Sequence, residues 1–257
     1  YNVIMWLIEY KDLIQVLTIS NLKIKYQSSV LGFAWSLINP LFMMIILYIV
    51  FSGIFKISEK QFALYILIGI VTWRFFTSAT NLGMISIVSQ PGLVKKIFFP
   101  REILVFSSVL SCLISSLLEF AVLFCILIIL QVSISSSILL FPIIILIFFG
   151  IAYAFSLGLS SLFVYYRDLN QIWDVLLQAG FFLCPIVYPI TVIPEKYLDI
   201  YMLNPLTVIM EIFRDILLNG IFPPLWDVVY VSLWGLFLLI FGHYLFSRLK
   251  IRFAEEV

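Results

Sequence analysis

The stretch ILVFSSVLSCLISSLLEFAVLFCILIIL, Ile103–Leu130, carries one charged residue, Glu119, among side chains that are otherwise apolar or small. About twenty such residues are enough to cross the hydrocarbon core of a bilayer as a helix. Comparable runs occupy Val30–Phe55, Phe62–Gly83, Ile138–Tyr165, Ile172–Ile190 and Val228–Phe246, which makes six in all. In lipid the backbone polar groups of a lone segment have only each other as partners, so each run reads as a helix. The expected fold is therefore an all-α polytopic membrane protein with six transmembrane helices.

Composition agrees. Of 257 residues, 63% are hydrophobic and 11% charged, about half the charge of an ordinary soluble domain. A soluble fold is excluded. The net charge of +1 says nothing about partners, because in a membrane protein the placement of charge is what counts. The three cysteines, Cys112, Cys125 and Cys184, lie inside apolar runs and read as small hydrophobes rather than as a disulfide framework. The first apolar residues, interrupted by Glu9, Lys11 and Asp12, do not read as a cleavable signal.

Lys and Arg set the orientation, since cytoplasmic loops carry their excess. With the N-terminus inside, ten basic residues are cytoplasmic: Lys11, Lys23, Lys25, Lys95, Lys96, Arg101, Arg167, Arg248, Lys250 and Arg252. Four are outside, Lys56, Lys60, Lys196 and Arg214, and Arg74 falls within a span. Both termini are expected in the cytoplasm. Residues 1–29 then form a cytoplasmic region and residues 30–257 the membrane domain. In the first region Lys11, Gln15, Thr18 and Lys25 recur at helical spacing opposite Leu13, Val16, Leu17 and Ile24. That pattern suits a helix lying in the headgroup region or packing on a partner.

Between the last two spans, at about 194–225, the outer segment is too long for a plain loop. Asn204-Pro205 predicts a helix start, with Asn capping and Pro in the first helical position, and Gly220 predicts the stop. Thr207, Glu211, Arg214 and Asp215 share one face, opposite Val208, Ile209, Ile212, Phe213 and Ile216. About fifteen residues give a helix of about 22 Å, short of the hydrocarbon thickness. Leu206–Leu218 is therefore expected to lie in the outer interface or to dip in and return.

Several chemistries are missing. There is no GxxxxGK[ST] phosphate loop, so nucleotide hydrolysis by that route is excluded. The single histidine, His243, has no acidic or cysteine companion and reads as an interface residue rather than a base or ligand. Ser160 and Ser161 follow Gly150, Ala154 and Gly158, whose four-residue spacing marks a close-packing stripe between membrane helices. Of the charged residues only Arg74 and Glu119 are clearly intramembrane, which is thin for an ion-coupled carrier.

Two stretches carry a family resemblance. Asn21–Trp35, NLKIKYQSSVLGFAW, followed by Asn39-Pro40-Leu41, resembles the opening of ABC-2 type permeases that export polysaccharides. Lys95–Glu102, KKIFFPRE, resembles the Phe-Pro-Arg-Glu segment between their second and third spans. Tyr165–Trp173, YYRDLNQIW, and Leu203–Thr207, LNPLT, are similar to the same template. The departures are mild: Asn21 stands for an acidic residue and Ser29 for threonine. Permeases of O-antigen exporters, the Wzm type, and of teichoic-acid exporters are the most similar members.

The resemblance implies a transport subunit rather than an enzyme. Two copies would pair with two ATP-binding ABC subunits and move a lipid-linked polysaccharide across the bacterial inner membrane. ATP and Mg would sit on the partner chain and no cofactor in this one. Its partners would be a second copy, the ATPases, the lipid-linked polymer and membrane lipids, with no nucleic acid. The segment at about 91–101 would be the coupling helix, contacting the ATPase through Lys95, Lys96, Ile97, Phe98, Phe99, Pro100, Arg101 and Glu102. Residue physics agrees. Pro91-Gly92 makes a turn, and the few residues before Pro100 form only a short helix, unstable alone in water. Phe98 and Phe99 are then expected to be exposed and in need of a cleft.

Aromatic residues make up 17% of the chain. Trp73, Phe76, Phe181 and Phe182 are candidates for stacking on sugar rings in a channel, or else interfacial bulk. Arg74 lies about 18 Å from the outer end of its span and Glu119 about 24 Å from the inner end of its own. That implies a depth mismatch, so Arg74 is expected to face the pore rather than pair with Glu119, and Glu119→Gln to be tolerated. Asn204, Pro205, Glu211 and Arg214 would shape a gate at the outer exit. A drug or glycolipid exporter of the same family and a stand-alone carrier are the competing readings.

Overall fold

The computed structural model describes residues 9–27, 33–54, 61–96, 99–132 and 135–256. All regular structure among these residues is helical. In chain order the helices are α1 (Lys11–Tyr26), α2 (Phe33–Tyr48), α3 (Phe62–Ile85), α4 (Pro91–Lys96), α5 (Glu102–Ile129), α6 (Phe141–Tyr165), α7 (Leu169–Leu183), α8 (Glu195–Met202), α9 (Pro205–Arg214), α10 (Leu225–Leu249) and α11 (Phe253–Glu256). α2 widens into a π-helical stretch over Ile49–Ile54, and α9 does the same over Asp215–Asn219.

Among the described residues five helices are long and apolar enough to cross a membrane: Ala34–Gly53, Phe62–Ile85, Glu102–Ile129, Ser136–Tyr165 and Leu225–Leu249. They correspond to five of the six expected spans. α3 is the hub, apolar around its circumference and buried along nearly its whole length, with α2, α5, α6, α7 and α9 packed on it. An all-round apolar helix is stable only when covered in this way.

Side-chain pairings define two ends of the bundle. At the near end, the start of α5 (Glu102) meets the turn after α10 (Lys250), and Tyr165 at the end of α6 meets Leu249. At the far end, Tyr65 in the first turn of α3 meets Glu211 of α9. α6 and α10 run side by side from far to near. The expected small-residue stripe serves this contact: a methyl on Gly242 would lie 2.5 Å from the carbonyl oxygen of Ala154. Such backbone approach is what small residues permit between membrane helices.

The expected fifth span, Ile172–Ile190, is not one helix. α7 stops at Leu183, its fifteen residues reaching about 22 Å. Cys184, with ψ 145°, turns extended ahead of Pro185, because proline disfavours helical backbone in the residue before it. The path still advances. Trp173 bonds to Thr80, Gly180 lies against Trp73, Ile186 against Gly69, and Tyr188 accepts from Tyr65. The segment thus climbs beside α3 from near to far, first as helix and then as irregular chain. Cys184, Ile186 and Val187 are buried, the condition under which non-helical backbone is tolerated at membrane depth.

α1 forms over the expected residues, but its buried face is Ile14, Leu17 and Thr18, while Val16 and Ile24 of the expected apolar face are exposed. Thr18 donates to the Ser107 carbonyl, Asn21 to the Ser108 hydroxyl and Tyr26 to the Ser115 hydroxyl. The contacts advance together on both helices, so α1 follows α5 rather than meeting it at one level.

Candidate functional site

The far end is built around Arg214. Asn204 starts α9 as expected, its side-chain oxygen accepting from the Leu206 amide at 3.0 Å, and Gly220 stops the helix with φ 65°. The polar face, however, is not turned to water. Arg214 is 1% exposed and Thr207 fully buried, while Phe213 packs against Phe120, Phe141 and Phe148. Both faces of this segment are thus covered largely by the chain's own helices. Arg214, expected among the residues that shape an outer gate, is covered rather than open to water: a two-faced pattern shows that the faces differ, not what covers each.

Arg214 is held there by contacts through both terminal nitrogens and one face of its guanidinium, while its buried Nε finds no hydrogen-bond partner. It donates to Glu211 at 2.5 Å, to the Pro185 carbonyl at 2.5 Å and to the Ile186 carbonyl at 3.4 Å. Its guanidinium carbon lies 3.4 Å from the centre of the Tyr65 ring, within cation–π range. The single Tyr65 hydroxyl proton is in turn shared between Glu211 at 3.4 Å and the Tyr188 carbonyl at 3.3 Å. One planar cation therefore satisfies carbonyls that the break after α7 releases and neutralises a carboxylate in the same pocket. Gly69 makes room: a methyl there would lie 3.0 Å from Arg214 Nη2 and 3.1 Å from the Ile186 carbonyl oxygen. Nearby, burial pushes the Asp215 carboxyl above its usual range, and the Asn219 amide donating at 3.0 Å offsets part of that rise. Tyr65, Gly69 and the Pro185–Ile186 backbone are absent from the expected gate. The available signal was Pro185 and Pro189 inside an apolar run.

In the middle of the bundle the expected unpaired Arg74 is corrected. Its Nε and Nη2 donate to the two oxygens of Glu119 at 3.3 and 3.4 Å, and Nη1 donates to Asn39 at 3.1 Å. The depth comparison fails because the spans are unequal. The 28 residues of α5 reach about 42 Å, more than the core thickness, so its first residue does not share a starting plane with the ends of α3.

The aromatic candidates separate into two groups. Trp73 and Phe76 are 7% and 2% exposed. Phe76 is enclosed by Trp73, Phe148, Phe155 and Trp173, so it has no face for a sugar and belongs to the core. Phe181 is half-buried against Trp73, while Phe182 is 65% exposed. Phe182 continues an exposed stripe on α7 that also holds Gln171, Val175 and Gln178.

At the near end, α4 ends with Lys95 exposed and Lys96 as its last residue. Ile97 and Phe98 lie outside the described residues. Phe99, expected to be exposed, is 9% exposed and packs in the chain's own core. Pro100 is half-buried. Arg101 donates to the Lys250 carbonyl at 2.6 Å, and Glu102 pairs with the Lys250 ammonium at 2.8 Å. Among the described residues of the segment, Pro91, Gly92 and Lys95 are the exposed ones.

Comparison with known proteins places this geometry in a family. The model described as ABC-2 type transporter matches residues 12–218. An O-antigen export system permease protein RfbA from Klebsiella pneumoniae is 31% identical over 95% of this chain and 94% of its own length. A protein of the same name from Myxococcus xanthus is 25% identical, with 98% and 97% covered. A polysialic acid transport protein KpsM from Escherichia coli is 20% identical, with 90% and 91% covered.

Proposed function

The chain belongs to the ABC-2 type transporter family, and on that premise we propose that it is the membrane permease subunit of an ATP-driven O-antigen-type polysaccharide exporter. The observation that carries this is likeness end to end: the match to an O-antigen export permease covers 95% of this chain and 94% of the relative. In this reading two copies form the channel for a lipid-linked polymer in the bacterial inner membrane, with both termini cytoplasmic. Two separate ATP-binding subunits supply the work, and ATP and Mg belong to them. The near end faces the ATPases, with Lys95 and the α4 turn on the contact surface.

The exposed stripe of α7 supports a channel wall. Gln171 and Gln178 offer hydrogen bonds to hydroxyl groups, Val175 keeps the face shallow, and Phe182 offers a ring face. Neutral amides and an aromatic face bind sugars without demanding one hydroxyl pattern. That tolerance suits a repeating polymer.

The test is export in cells that lack their own O-antigen permease. Expression of this chain with the ATP-binding subunit encoded beside it is expected to restore surface polysaccharide, and an ATPase-inactive partner to abolish it. Export without any ATPase would favour a stand-alone carrier. Failure with O-antigen but transport of another glycolipid would keep the family and replace the substrate.

A further inference from the structure

The turn that follows α10 is braced in a way that the transport reading does not require. Residues Lys250–Arg252 form a tight 3-10 turn, and α11 then folds back beneath the bundle. Phe253 is fully buried, edge-on to Phe246 at 5.4 Å, 6.2 Å from Tyr165 and 5.8 Å from the Arg101 guanidinium. Hydrogen bonds cross the same region. Tyr165 donates to the Leu249 carbonyl at 2.7 Å, Arg101 to the Lys250 carbonyl at 2.6 Å, and Arg167 to the Glu256 carbonyl at 3.3 Å. Carbonyls in the last turn of a helix lack partners within the helix. Here side chains from the start of α5 and the end of α6 supply two of them. Lys250 adds an ion pair to Glu102, which is only 5% exposed. α11 also packs against α4.

We infer that this turn is a strut joining the α4–α5 docking segment to α6 and α10, with Lys250 and Phe253 as positioning residues for coupling. The inference rests on the proposed ATPase-driven reading for its function, but not for its structure. Without the strut, Arg101 and Glu102 would hold α5 alone. With it, displacement at α4 moves Arg101, hence the end of α10, hence α6, which packs along α10. At the far end α10 touches the segment before α9, because Tyr230 donates to the Leu203 carbonyl at 2.7 Å. A push at the near end is thereby delivered to two long helices instead of one.

The test uses the full chain with its ATPase in proteoliposomes, measuring ATP hydrolysed per polymer moved. Phe253→Ala and Lys250→Ala are expected to keep ATPase association while that ratio rises about tenfold, within the usual range for coupling between sites. Lys250→Arg should restore the wild-type ratio. An unchanged ratio in Phe253→Ala overturns the inference. If that variant does not reach the membrane, the Glu102→Gln/Lys250→Met pair decides, since it removes the ionic tie without leaving a buried charge. Amide exchange across residues 91–101, measured on the permease alone, is expected to quicken in either variant, and wild-type exchange overturns the strut. That second measurement needs no ATPase, so it stands even if the wild-type complex proves not to export polysaccharide.

Discussion

Arg214 donates to the backbone carbonyl of Pro185 at 2.5 Å, joining α9 at the far end to the chain that breaks off α7. Unsatisfied carbonyls at membrane depth cost several kcal/mol each, about as much as inserting a lone arginine. Each of these groups removes the penalty of the other. Removing Arg214 therefore uncovers two carbonyls and a carboxylate at once. Arg214→Met is expected to destabilise the protein by about 3–5 kcal/mol, the usual cost of breaking a buried ion pair. Arg214→Lys should recover part of this, as a point charge without the fork. Thermal unfolding in detergent, followed by size-exclusion yield, checks both.

Gly69 is the space that Arg214 needs. Gly69→Ala puts a methyl 3.0 Å from the guanidinium and 3.2 Å from the Ile186 Cα, an overpacking expected to cost about 1–3 kcal/mol. Gly92→Ala meets nothing within 4 Å and serves as the neutral control. Equal melting temperatures for the two variants would contradict the packing described here.

The Arg74–Glu119 pair reverses an expectation of tolerance. Glu119→Gln is now expected to lower stability, because Arg74 keeps only Asn39 and a neutral amide for partners. A double-mutant cycle with Arg74→Met and Glu119→Leu should show a coupling of about 1–3 kcal/mol. Additivity within error would mean the two do not interact.

The α7 stripe makes a labelling pattern. In a Cys125→Ser background, which removes the exposed native thiol, cysteines at Gln171, Gln178 and Phe182 should react with a small water-soluble thiol reagent in the assembled complex. A cysteine at Leu177, 7% exposed, should stay protected. Reaction at Leu177 but not at Gln178 would contradict the proposed channel-facing side of α7.

What was legible in the sequence lives in single residues and their immediate neighbours. Apolar length marks five crossing helices, Asn204 and Gly220 mark the ends of the α9 segment, and Gly150, Ala154 and Gly158 mark a close approach. Each works through its own backbone or its own hydropathy, whatever lies across from it. The short helix before Pro100 was legible for the same reason, although it begins at Pro91, where a turn was expected.

Tertiary structure alone decided the partners. Glu119 meets Arg74 because α5 is longer than the membrane is thick, which residue counting along one span cannot register. Phe99 is buried because the near end closes over it, and Phe76 is core because α6 and α7 enclose it. Arg214 lies inside because a break in a different helix leaves carbonyls that only a long planar cation can reach. Periodicity in a chain shows that a face is special; the relative tilt and level of distant helices determine whether lipid, water or another charge will cover it.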